Sequence, residues 1–79
     1  MLSKNIHISF REPVPSSSLD TFKEILSLSN LEIKGDISSH KIEGIIYSYG
    51  MFNLFKAPLV KALELSHLKK YVKEIMILQ

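Results

Sequence analysis

Two neighbouring segments with two-residue periodicity constrain the fold of this chain more than any other feature. Within residues 31–37, and again within residues 41–49, apolar residues and glycine alternate with other side chains. A polar turn, residues 38–40, separates the segments. Alternation with β-branched residues is typical of half-buried strands, and so short a connection joins neighbouring strands into a hairpin.

The hairpin has a predicted register that places its isoleucines on one face. The predicted cross-strand pairs are Ile37 with Ile42, Gly35 with Gly44, and Ile33 with Ile46. Glycine inside a strand often marks the close approach of another backbone. We therefore expect a helix to lie on the two-glycine patch.

A strand and a helix are predicted ahead of the hairpin. Residues 5–10 alternate, with isoleucine or phenylalanine at every second position, and Pro13 and Pro15 then end the strand. Ser18 is the predicted N-cap of the helix. The apolar face of this helix consists of Leu19, Phe22, Ile25 and Leu26.

The last third of the chain predicts a second helix and one ambiguous segment. An apolar cluster, Met51, Phe52, Leu54 and Phe55, comes first. Because proline disfavours helical backbone at the residue before it, we expect the helix to begin near Pro58. Residues 72–78 are rich enough in β-formers to be a strand. An amphipathic helix would instead present Leu68, Tyr71, Val72, Ile75 and Leu78 on one face.

The order of the elements favours a final strand. Strand, helix, hairpin, helix, strand is the βαββαβ order of ferredoxin-like folds, an α+β class in which two helices cover one face of a four-stranded antiparallel sheet. A terminal helix would leave one central strand as an uncovered edge. From the crossover rule we expect the first and third strands to be adjacent and parallel. Residues 1–79 form a single domain in this prediction.

Composition narrows the classes of function. The 79 residues contain no cysteine, which excludes disulfides, thiolate metal sites and cysteine nucleophiles. Arg11 is the only arginine, and nucleic-acid binding is disfavoured because readers of nucleic acid rely on the planar guanidinium. The lysines at 69, 70 and 73 are typical of a solvated edge or helix end. With no long apolar run and no signal-peptide pattern, we expect no membrane span and a cytoplasmic protein.

Titratable residues do not form a recognisable catalytic motif in the sequence. The histidines at positions 7, 40 and 67 are too widely spaced for a metal-binding motif, and we expect His40 in a turn and His67 at a helix end. Asp36 and Glu43 face each other across the predicted hairpin, where neighbouring lysines supply counter-charge.

Motifs of known catalytic sites are also missing. The chain contains no nucleophile elbow, P-loop or dinucleotide fingerprint. Arg11 follows the first strand, but the glycine-rich anion loop of acylphosphatases is absent around it. We predict a protein that is not an enzyme, with no catalytic residue, no metal site and no cofactor.

The outer face of the sheet, opposite the helices, is the predicted binding surface. Its predicted binding residues are His7, Ile45, Tyr47, Tyr49 and Met76, with Leu78 beside them. A contiguous apolar patch usually marks an interaction site. Tyrosine suits such a site because it joins a large apolar area to a polar tip.

Two stretches resemble ACT-type regulatory domains. Residues 63–78, LELSHLKKYVKEIMIL, resemble the end of those domains, where a helix passes through a short leucine–spacer–valine step into a strand. Residues 12–26 resemble the family's strand-to-helix turn, with serines at 16–18 where the family has a glycine. The resemblance implies a non-catalytic regulatory domain that pairs with its own copy through the sheet.

The favoured function is a regulatory or protein-interaction module that self-associates as a homodimer or docks a protein partner through its sheet face. One alternative is a small inhibitor protein from a phage or mobile element. Another is a single-stranded nucleic-acid binder of the RRM type, with bases stacked on Tyr47 and Tyr49. A small-molecule ligand is also compatible with the sequence.

Overall fold

Strands and helices follow one another along the chain in the predicted βαββαβ order. The computed structural model describes residues 2–50 and 55–78. The elements are β1 (Leu2–Phe10), α1 (Ser16–Leu28), β2 (Leu31–Ile37), β3 (Lys41–Ser48), α2 (Lys56–Leu65), a 3-10 turn (Lys69–Tyr71) and β4 (Val72–Leu78). The ferredoxin-like α+β fold is confirmed, and the ambiguous final segment is a strand.

The sheet has the strand order β2-β3-β1-β4, and every neighbouring pair is antiparallel. The expectation that β1 and β3 are parallel is wrong, although they are adjacent. The crossover through α1 joins β1 to β2, and β3 is inserted between those two strands. Since β1 and β2 both run antiparallel to β3, they are parallel to each other without sharing hydrogen bonds.

The register of the hairpin is the predicted one. Ile37 pairs with Ile42, Gly35 with Gly44, and Ile33 with Ile46. Ile42 and Ile46 have no exposed surface, so the isoleucine face is the one that the helices cover.

The glycine pair is close to a backbone, but the expectation of a helix there is wrong. Gly35 is exposed, so no helix covers it. A Cβ added to Gly35 would lie 2.7 Å from the Cα of Gly44 and would overlap the carbonyl oxygen of Glu43. A Cβ on Gly44 would overlap the carbonyl oxygen of Lys34. The approaching backbone is therefore that of the paired strand.

We expect Gly44→Ala to lower the free energy of unfolding by more than about 2 kcal/mol, because the methyl group displaces the β2 backbone. Gly35→Ala adds strain, since Gly35 has φ +146°. The matched control is Gly50→Ala, where the added methyl is 3.7 Å from the nearest described side chain, Asn30, and the expected change is within about 0.5 kcal/mol. Urea denaturation measures all three, and equal effects at positions 44 and 50 would contradict this account of the pair.

Helix α1 buries the face that its periodicity predicts. Leu19, Phe22 and Leu26 are buried, and Ile25 packs partly against the core. The helix begins at Ser16, so the prediction of Ser18 as N-cap is wrong. Pro15 occupies the N-cap with an extended ψ of 139°, and its carbonyl oxygen accepts a hydrogen bond from the backbone N–H of Ser18.

Helix α2 begins at Lys56, two residues before the predicted start at Pro58. Phe55 is buried, whereas the other members of the predicted apolar cluster, Met51, Phe52 and Leu54, lie outside the described residues. The helix ends in a left-handed turn at His67, with φ 63°, as predicted for a helix-end histidine. The N–H of Leu68 donates to the Leu63 carbonyl at 2.9 Å, a Schellman-type cap that buries Leu68.

The two remaining turn predictions agree with the structure. His40 lies in the exposed turn between β2 and β3. Of the three lysines predicted at a solvated edge or helix end, Lys69 and Lys70 are exposed in the 3-10 turn and Lys73 is exposed on the edge strand β4. The Nζ of Lys69 is 3.2 Å from Glu64 Oε1. Within the described ranges, no helix has both the length and the apolar character that a membrane crossing requires.

Candidate functional site

The outer face of the sheet carries every residue that the sequence predicts for binding. Alternation with the buried residues Ile6 and Ile8 turns His7 outward on β1. On β3, Ile45 and Tyr47 alternate with the buried isoleucines in the same way. On β4, Met76 is the partner of His7 and therefore lies on the same face.

Strand pairing arranges these residues in cross-strand rows. The first row contains Glu32, Tyr47 and Ser3. The second row contains Lys34, Ile45, Asn5 and Leu78. The third row contains Asp36, Glu43, His7 and Met76. Apolar residues thus occur on β3 and β4, on either side of β1.

A tyrosine ridge, defined as Ile45, Tyr47 and Tyr49, runs along β3. The rings of Tyr47 and Tyr49 are stacked, with centroids 6.4 Å apart and planes at 21°. Lys34 Nζ lies 5.7 Å from the centroid of the Tyr47 ring, and the Tyr49 hydroxyl donates to Glu32 Oε1 at 2.9 Å. Both tyrosine rings are therefore held in place by groups of β2 as well as by each other.

The β4 ridge, defined as Met76 and Leu78, is the second apolar strip. It is separated from the tyrosine ridge by a polar furrow on β1. The furrow consists of Ser3, Asn5, His7 and Ser9. The face is thus two apolar ridges with a polar strip between them rather than one contiguous apolar patch.

Sequence reasoning missed Ser3 and Asn5 as members of this surface. Alternation alone places Asn5 on the same face as His7, so the signal was present. What the sequence lacked was the strand order, which puts β1 between the two ridges.

Charged groups of the outer face form a network at the third row. His7 Nδ1 lies 2.9 Å from Glu43 Oε2, and Lys41 Nζ lies 3.8 Å from both Glu43 Oε1 and Asp36 Oδ2. Asp36 and Glu43 are directly opposite, as predicted, and Lys41 supplies the expected counter-charge. All these pairs are partly or largely solvent-exposed, so each contributes at most about 1 kcal/mol.

The outer face provides apolar contact area and hydrogen-bonding groups. Among the residues that the structure describes, no three His, Asp or Glu side chains converge on a position where a metal ion could bind. The pKa of Tyr49 is raised because its hydroxyl is hydrogen-bonded to Glu32, with desolvation and the negative charge of Glu32 adding to the effect.

We expect Glu32→Gln to lower the pKa of Tyr49 toward 10.0, the ordinary value, because the substitution removes the anionic acceptor. Since the folded-state pKa is raised, any stability that this bond provides is present below the unfolded pKa and is lost as the pH rises through the folded pKa. NMR titration of the tyrosine ring carbons measures the shift. Glu43→Gln is the control, because Glu43 makes no hydrogen bond to Tyr49, and an unchanged Tyr49 pKa in Glu32→Gln would contradict the assignment.

No protein-family model, curated protein or solved structure matches this chain. The layout is that of a ferredoxin-like fold, and the resemblance to ACT-type domains extends no further than this layout.

Proposed function

We propose that the chain is a non-catalytic interaction module that forms a homodimer by packing its outer sheet face against the same face of a second copy. The observation that carries the proposal is the pair of apolar ridges on either side of the polar furrow. A twofold interface requires a surface that complements itself. An apolar ridge on each side of a polar strip supports such a packing.

The ridges expose side chains whose burial would stabilise an interface. Leu78 is 56% exposed, Tyr49 53%, Met76 40% and Ile45 37%. Burial of a large apolar side chain contributes about 1.5–3 kcal/mol, and tyrosines are frequent at the centres of interfaces. In a symmetric dimer each of these residues contributes once from each copy. A few side chains therefore suffice for a measurable affinity.

In the proposed dimer the twofold axis runs along β1, the strand between the two ridges. Rotation about this axis brings β3 of one copy over β4 of the other, row by row, and it does so twice. In the second row, Ile45 then faces Leu78 of the second copy, while Asn5 lies near the axis opposite its own equivalent. The small polar groups of the furrow face each other at the centre, and their hydrogen-bonding groups remain satisfied by one another or by water.

The charges of this face oppose nucleic-acid binding. Its strand positions carry four carboxylates, Glu32, Asp36, Glu43 and Glu74, against the two lysines Lys34 and Lys41. The phosphate backbone supplies most of the affinity of single-strand binders, and a face with excess negative charge repels it. The polar furrow also lacks the aromatic side chains that RRM-type proteins carry on the neighbouring central strand.

A dimer of this kind predicts a selective effect of charge at the β4 ridge. We expect Leu78→Lys to weaken self-association at least about tenfold, because it places two lysines in one symmetric interface. The matched control is Leu28→Lys on α1, at an 83% exposed leucine on the other side of the molecule, which leaves the dissociation constant unchanged. Sedimentation equilibrium across a micromolar concentration series measures both.

Chemical cross-linking tests the position of the axis. Because the chain has no cysteine, Asn5→Cys introduces a single thiol, and a short bis-maleimide spans the spacing of about 10 Å between packed sheets. Covalent dimers are expected from Asn5→Cys and not from Ser17→Cys on α1.

A wild-type protein that stays monomeric into the high micromolar range would overturn the proposal. So would a protein that dimerises while Leu78→Lys and Leu28→Lys have the same effect on the dissociation constant.

A further inference from the structure

On the helix side of the sheet, a groove lies between α2 and β4. Its volume is about 950 Å³, at the upper end of the range of small-molecule sites. The groove exists because β4 is an edge strand that the helices cover incompletely. Ile75 pairs with the buried Ile8 and faces inward, yet it is 37% exposed.

The floor and one wall of this α2–β4 groove are apolar. Phe55, Val60 and Ile77 line it, and the groove continues past Leu59 to Ile75. Phe55 is buried and Ile77 packs against the core, so the floor is part of the folded domain. The α2 residues that line it, from Lys56 to Glu64, extend over about 12 Å of helix.

Three lysines surround this apolar floor. Lys56 and Lys61 stand on α2, and Lys4 on β1 faces them from the sheet, with its Nζ 5.1 Å from the centroid of the Phe55 ring. Among the described residues, none of the three makes an ion pair. Glu64, a carboxylate that also lines the groove, is paired with Lys69 at 3.2 Å.

From this combination we infer that the α2–β4 groove binds a single amphiphilic anion, a molecule with an unbranched acyl chain and a carboxylate head. The chain would lie along Val60 and Ile77, and the head would be held by the lysines at the rim. An apolar groove along α2 fits an acyl chain, and the ammonium groups at its rim attract one negative head group. Because the lysines come from both walls of a concave groove, a monomeric ligand fits them better than a flat membrane surface does.

Dodecanoate below its micellar concentration is the probe, and its binding is followed by the methyl NMR signals of Val60 and Ile77 and by isothermal titration calorimetry. We expect saturable one-to-one binding to the wild type. Acetate, which has the head without the chain, and dodecyltrimethylammonium, which has the chain with a positive head, are each expected to bind at least about tenfold more weakly.

The matched variants separate the groove from general charge. Lys56→Gln/Lys61→Gln is expected to weaken dodecanoate binding about tenfold. Lys23→Gln/Lys73→Gln removes the same number of positive charges outside the groove and is expected to leave dodecanoate binding unchanged. Circular dichroism verifies that both double variants are folded. All four substituted lysines are at exposed positions, so the comparison of the two double variants is not confounded by unfolding.

Three results would overturn the inference. Equal losses in the two double variants would show non-specific attraction to a basic protein, and equal affinity for the cationic amphiphile would show simple apolar partition. Binding to anionic vesicles without binding to free dodecanoate would assign the groove to a membrane surface instead. The site is on the opposite side of the sheet from the proposed dimer interface, so each proposal stands or fails separately.

Discussion

The register between β2 and β3 determines which side chains of this domain reach the core. This register pairs Gly35 with Gly44, and the two backbones are so close there that neither position has room for a side chain. Because side chains alternate along a strand, a shift of one residue would move the isoleucines outward and the tyrosines inward. The core beneath the helices and the ridges on the outer face therefore depend on the same set of hydrogen bonds.

The central strand β1 connects the rest of the fold to this hairpin. It pairs with β3 on one side and β4 on the other, so its two faces serve different purposes. Its inner side contributes Ile6, Ile8 and Phe10 to the core, whereas its outer side is polar throughout. That polar side separates the apolar surface of β3 from that of β4. The separation limits non-specific association and leaves one apolar strip on each side of β1.

The two sides of the sheet offer different kinds of surface. The outer side is an open face with paired ridges, suited to a large and flat contact. On the helix side, beside β4, lies an apolar groove with lysines at its rim. A domain of 79 residues without disulfides has a thin core, so an interface on one side and a ligand on the other would each add stability through binding.

The sequence by itself determined the elements, the hairpin register and the outward direction of Tyr47, because period two and period 3.6 are local properties of the chain. It also indicated a final strand, since only that element completes the sheet. Only the tertiary structure decided that β1 runs antiparallel to β3 and that the backbone of the paired strand fills the space at the glycines. It likewise decided that α1 begins at Ser16. It also decided that Asn5 separates Ile45 from Leu78 and that Lys4 faces α2, because contacts between residues distant in sequence depend on strand order and helix placement.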